Sequence, residues 1–205
     1  MAPPAEILKA RVINVLRSPA CLDIQFTIAG STIMGYGYGY VADMIKQDGI
    51  RIRIGNTGAF TASYDHHGST PTFVFGDPSI VSSPDGRATI VHEATHAVID
   101  AVRKGRTIAF GDNEVAAYLA ETIYRMNTNS PLTGPLAPFL IPVARRIKSC
   151  PPDKRVYVVR PEEVAEARSR ILAVYAQKAR AEGKTLPTDE MMKGIEPPKP
   201  AMVPD

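Results

Sequence analysis

The chain has 205 residues, is 44% hydrophobic and carries a formal charge of +3. That length suits one domain with a sizeable core, and the charge is too mild and scattered to argue for nucleic acid. No run of about 18 apolar residues suggests a membrane span. The first residues lack the basic-then-apolar profile of a secretory signal, and Cys21 and Cys150 lie outside any C-x-x-C pattern. The expectation is a cytoplasmic protein with two free thiols.

Residues 5–17 alternate apolar and charged side chains at helical spacing and predict a helix; residues 22–28 predict a strand. Gly35-Tyr36-Gly37-Tyr38-Gly39-Tyr40 is a small repeat that reads as a tight turn or strand packed on aromatics, with a flexible aromatic platform as the functional alternative. A short helix over 41–47 follows. Residues 50–54, 59–64 and 72–75 read as three strands of a small antiparallel sheet, separated by glycine-bearing turns. The last of them is the expected edge beside a cleft, where an extended peptide would add by main-chain hydrogen bonds. His66-His67 falls in a surface loop, with a lid over the cleft as the alternative.

Residues 87–104 place apolar side chains at 90, 91, 94, 97, 98, 101 and 102, a helical stripe. Ser82-Ser83-Pro84-Asp85 offers capping side chains and a first-turn proline, and Gly105 a stop. Inside this helix lies His92-Glu93-Ala94-Thr95-His96, an instance of H-E-x-x-H. Two imidazoles four residues apart share one helical face and can hold one zinc ion through neutral ring nitrogens. Glu93 is placed to take a proton from a metal-bound water. A catalytic zinc typically takes three protein ligands. The candidates are Glu114 and Glu121, seven apart on a second helix over 112–127 that a short loop, 106–111, folds back against the first. Ala116, Ala117 and Ala120 permit close approach. The longer metal motif with a third histidine is excluded, because Ile99 and Val102 stand where it needs glycine and histidine. Asp100, one turn past His96, is expected to support a ligand and not to bind metal.

H-E-x-x-H followed by a glutamate on the next helix resembles the gluzincins, the thermolysin-like group of zinc metallopeptidases, and Asn113-Glu114 is similar to the Asn-Glu pair of those enzymes. The resemblance runs from His92 to Tyr124. It implies a zincin-like α+β fold, with a sheet before the motif helix and a mainly helical C-terminal half. It also implies one zinc held by His92, His96 and Glu114, with Glu93 as general base, and a peptide or protein substrate. The separation from His96 to Glu114 is shorter than in thermolysin-like enzymes, so Glu121 stays open as the third ligand. The rival readings are a zinc-binding structural or regulatory module without hydrolysis, and a toxin- or effector-type metalloprotease with one protein target. Tyr118, Tyr124, Arg125, Tyr157 and the His66-His67 pair are the groups considered for stabilising charge on a scissile carbonyl.

Beyond the second helix, 127–135 is a loop, and 136–148 a helix interrupted by Pro138 and Pro142. Residues 156–159 read as a strand, and 161–182 as a long helix opened by Pro161. The single expected domain spans 1–195. Residues 196–205 form a proline-rich loose tail, within a segment that is polar and proline-rich from Lys184 onward.

Overall fold

The computed structural model describes residues 4–57, 61–66, 69–103, 107–151, 156–181 and 191–193. The expected helix stop at Gly105, His67 and the tail 196–205 lie outside them. The fold is α+β and mostly helical: seven α-helices and three small sheets occur among the described residues.

Helix α1 (Pro4–Leu16) and the short α2 (Pro19–Leu22) lead into a hairpin of β1 (Gln25–Ile28) and β2 (Ser31–Met34). Its two-residue turn, Ala29-Gly30, has φ of 48° and 73°, the left-handed pair that matches the twist of a tight hairpin. Helix α3 then spans Gly35–Lys46 and absorbs the whole Gly-Tyr repeat, correcting the expected turn or strand. Packing overrides propensity here. A Cβ on Gly35 would sit 2.1 Å from the Leu22 carbonyl oxygen, and one on Gly37 would sit 2.9 Å from Val98. The glycines therefore let the helix come close to its neighbours, while Tyr38 is fully buried between them.

Strands β3 (Arg51–Ile54), β4 (Ala62–Asp65) and β5 (Thr72–Phe75) form one sheet in the order β3-β5-β4. β5 pairs parallel with β3 and antiparallel with β4, so the sheet is mixed and not antiparallel throughout. The central strand is β5, whose Phe73, Val74 and Phe75 are all buried; continuous burial suits a strand covered on both sides. The expected edge, residues 72–75, is thus the middle of the sheet. Among the described residues the edges are β3 and β4, and β4 is the one that packs against the motif helix.

A 3-10 turn, Pro78–Ser82, precedes the motif helix α4 (Pro84–Arg103). Ser83 Oγ accepts from the Gly86 amide at 2.9 Å, Pro84 occupies the first turn, and Asp85 and Arg103 complement the helix dipole at its two ends. Strand β6 (Thr107–Ala109) runs directly into α5 (Phe110–Asn127). The predicted loop over 106–111 is therefore replaced, where it is described, by a strand and the first turn of α5. β6 pairs antiparallel with β7 (Met191–Lys193), a partner far along the chain that no local signal reveals.

α4 and α5 run antiparallel, as the pairs Asp85–Arg125, His92–Glu121 and His96–Asn113 show by descending along one helix while ascending the other. Helices α6 (Ala137–Ser149, with Pro142 in its interior) and α7 (Pro161–Ala181) pack on α5 and on each other. The expected strand at 156–159 shrinks to one bridge beside β1, between Thr27 and Val158. No helix among the described residues is long and apolar enough to cross a membrane.

Candidate metal centre

The amphipathic pattern of α4 turns its histidine-bearing face toward α5 and away from solvent; His92 and Glu93 are 6% and 9% exposed. Thr95, inside the motif, anchors the helix. Its hydroxyl bonds the Val91 carbonyl and the Tyr38 hydroxyl, each at 2.8 Å, tying α4 to α3.

On the facing helix, Glu114 meets both imidazoles. Its Oε2 lies 3.6 Å from His92 Nε2 and its Oε1 lies 3.5 Å from His96 Nε2. The ligand-capable atoms of these three residues all lie within 4.8 Å of one another. A tetrahedral site with bonds of ~2.0–2.1 Å has edges of about 3.3–3.4 Å. The nitrogen–oxygen gaps of 3.5 and 3.6 Å are compatible with such a site and long for direct hydrogen bonds.

The other ring nitrogens face different partners. His96 Nδ1 donates to Asn113 Oδ1 at 3.1 Å, and its Nε2 faces Glu114. His92 Nδ1 faces Glu121 Oε2 at 3.4 Å. Glu121 in turn accepts from Arg125 Nε and Nη2 at 3.0 and 2.9 Å, and Arg125 reaches Asp85 at 2.5 Å. Glu121 thus stands behind His92, on the side away from Glu114. The structure gathers His92, His96 and Glu114 and sets Glu121 as a support of the first. Tyr118 adds its ring edge-on against His92, centroids 4.4 Å apart.

The electrostatics fit a cation. Burial alone would lower the His92 pKa, yet the facing carboxylates of Glu114 and Glu121 raise it well above its ordinary value. Burial opposes ionisation of Glu114, but His96, His92 and the Tyr175 hydroxyl outweigh it and hold its pKa low. Glu93, Glu114 and Glu121 crowd the two imidazoles, with Arg125 behind them. Two nitrogens and one carboxylate form a donor set suited to a divalent transition ion.

Glu93 does not join the three ligand atoms. It faces a cleft of about 210 Å³ whose lining includes Ser63, Tyr64, His66, Phe110 and Tyr175. Burial raises its pKa, against the two histidines and a hydrogen bond from the Tyr64 amide. Tyr64, on the edge strand, also bonds the Asp100 carboxylate through its hydroxyl. Asp100 therefore supports the sheet edge, where the sequence suggested support of a ligand.

Of the remaining candidates, His66 lines the cleft and Tyr157 does not: its hydroxyl donates to Glu163 at 2.7 Å. Tyr124 is buried beside Cys21 and Arg87. Arg125 lies behind Glu121, in the wall of a second, larger cavity of about 280 Å³ that Tyr118 and Tyr175 also line. Sequence reasoning missed Tyr175. It sits on α7 and donates to Glu114 Oε2 at 2.8 Å across 61 residues, a contact that helical periodicity does not encode.

No family model matches the chain, and no curated protein or solved structure is significantly similar to it.

Proposed function

We propose that the protein is a zinc-dependent peptidase in which His92, His96 and Glu114 hold the metal and Glu93 moves the proton. One observation carries this reading: the Nε2 atoms of His92 and His96 both turn toward the carboxylate of Glu114, at 3.6 and 3.5 Å, while the Nδ1 of His96 is hydrogen-bonded to Asn113 and that of His92 faces Glu121 at 3.4 Å. Two imidazoles and one carboxylate favour zinc over calcium or magnesium, which take oxygen ligands. Zinc bound there would supply a Lewis acid for the scissile carbonyl and lower the pKa of a bound water.

The chain's own groups do the rest. Glu93, beside the histidines and open to the cleft, accepts the proton of the attacking water and returns it to the leaving amine. Burial, which raises its pKa, suits a group that must hold the proton between the two steps. An extended peptide lies along β4, whose residues 62–64 line the cleft on the edge of the sheet. A purely structural metal site is disfavoured. Such sites usually close with four protein ligands, and the described residues supply one three-membered group.

Metal analysis of the purified chain and cleavage of a proteome-derived peptide library test the reading together. The expected result is about one zinc per chain and cleavage that Glu93→Gln abolishes while zinc stays bound. A folded, zinc-free protein in zinc-replete medium overturns the metal site, and cleavage that survives Glu93→Gln overturns the base.

A further inference from the structure

We propose that Tyr175 is a positioning residue that makes Glu114 engage the metal through a single oxygen, Oε1. The inference rests on the metal-centre reading above and adds a residue to it.

The Tyr175 hydroxyl donates to Glu114 Oε2 at 2.8 Å. Its ring stands edge-on against Phe110, centroids 4.9 Å apart. Phe110 opens α5 and lies four residues, about one turn, before Glu114, so both contacts fall on the same helical face. The phenol is therefore fixed relative to the carboxylate by two points of one helix.

A carboxylate oxygen that accepts a short hydrogen bond has one lone-pair direction committed. Both oxygens approach an imidazole, Oε2 at 3.6 Å from His92 Nε2 and Oε1 at 3.5 Å from His96 Nε2, but only Oε2 also accepts from Tyr175, which leaves Oε1 the freer ligand atom. Engagement through Oε1 alone keeps the third protein ligand to one coordination position. A two-oxygen Glu114 would take a second coordination position, one that a water would otherwise be free to hold. Tyr175 also lines both the cleft and the larger cavity.

Cobalt(II) in place of zinc reports coordination number, because its visible absorption is intense with four ligands and weak with five or more. Wild-type protein is expected to give the intense band. Tyr175→Phe is expected to give the weaker one and to bind zinc about tenfold less tightly, with an unchanged melting temperature of the metal-free protein. A second measurement needs no variant. In protein carrying ¹³C-labelled glutamate carboxylates, the zinc-minus-apo infrared spectrum separates one-oxygen from two-oxygen binding by the splitting of the carboxylate stretches, and wide splitting is expected. Narrow splitting in the wild type, or a Tyr175→Phe protein identical to wild type in both spectrum and affinity, overturns the proposal while leaving the metal centre standing. A wild-type chain that takes up neither metal overturns both.

Discussion

Asn113 holds His96 from behind: the side-chain oxygen of one accepts from the Nδ1 of the other at 3.1 Å, one residue before the carboxylate that faces the same ring's Nε2. Two consecutive residues of α5 thus address the two nitrogens of a single imidazole. One engages its Nδ1 and the other faces its Nε2. Asn113→Ala is expected to weaken zinc binding by about 10- to 100-fold without unfolding the protein, as read by chelator competition alongside circular dichroism.

The two downstream glutamates separate cleanly by variant. Glu114→Ala removes one of the three gathered ligand atoms and is expected to abolish stoichiometric zinc. Glu121→Ala removes the group behind His92 and should lower affinity while retaining metal at saturating zinc. Equal retention by both variants would reverse the assignment of their roles.

Arg125 is 7% exposed and is shared between Glu121 and Asp85. Replacing it with leucine leaves the Glu121 carboxylate, itself largely buried, without its guanidinium partner. The expected cost is about 2–3 kcal/mol in urea unfolding of the metal-free protein. It is less than for a fully buried pair, because Asp85 is largely exposed. A loss below half a kcal/mol would show that the network contributes orientation and little stability.

Two glycines give opposite expectations from the same substitution. A Cβ on Gly86 would lie 1.8 Å from the Ile80 backbone carbonyl oxygen, so Gly86→Ala forces the start of α4 away from the 3-10 turn beneath it. About 2–3 kcal/mol of destabilisation is expected. Gly39, inside α3, has open space around the same position. There Gly39→Ala should stabilise by about 0.5–1 kcal/mol, through helix propensity and a less flexible unfolded chain. Thermal unfolding of the two variants side by side checks both signs.

Acid should loosen the α6–α7 junction. Burial opposes ionisation of Glu163, but the Arg160 amide, the Tyr157 hydroxyl and the Arg146 and Arg160 guanidinium groups outweigh it, lowering its pKa from 4.5 to about 2. The folded value lies below the unfolded one, so the stabilisation is fully present above pH ~4.5 and is lost as pH falls toward ~2. With both arginines more than half exposed, solvent screening limits it to about 1–2 kcal/mol. The stability gap between wild type and Glu163→Gln should therefore be present at neutral pH and close near pH 2, measured by denaturant titration across that range.

Helix α4 was legible because local chemistry marks it completely: a stripe of apolar residues, Ser83 as cap, Pro84 in the first turn. Pro161 and the periodicity behind it made α7 equally plain. Helix α3 was not, since three glycines argue against a helix until their neighbours, the Leu22 carbonyl and Val98, are known. Strand order failed for a related reason. Four-residue strands carry no record of their partners, and only the burial of Phe73, Val74 and Phe75 together puts β5 in the middle. At the centre itself, His92 and His96 were readable from spacing along one helix. Tyr175 was not, because its link to Glu114 exists only once α7 has packed on α5.

The edge position of β4 has a consequence for behaviour in concentrated solution. An unpaired strand edge is a template for sheet-to-sheet association between molecules. Here the strand is only four residues long, ends on the charged Asp65 and is tethered to α4 through Tyr64 and Asp100. Residues 62–64 also line the cleft, so a pairing strand would have to enter it to reach them. Short length, a terminal charge and a place inside a cleft all act against sheet-to-sheet growth along β4.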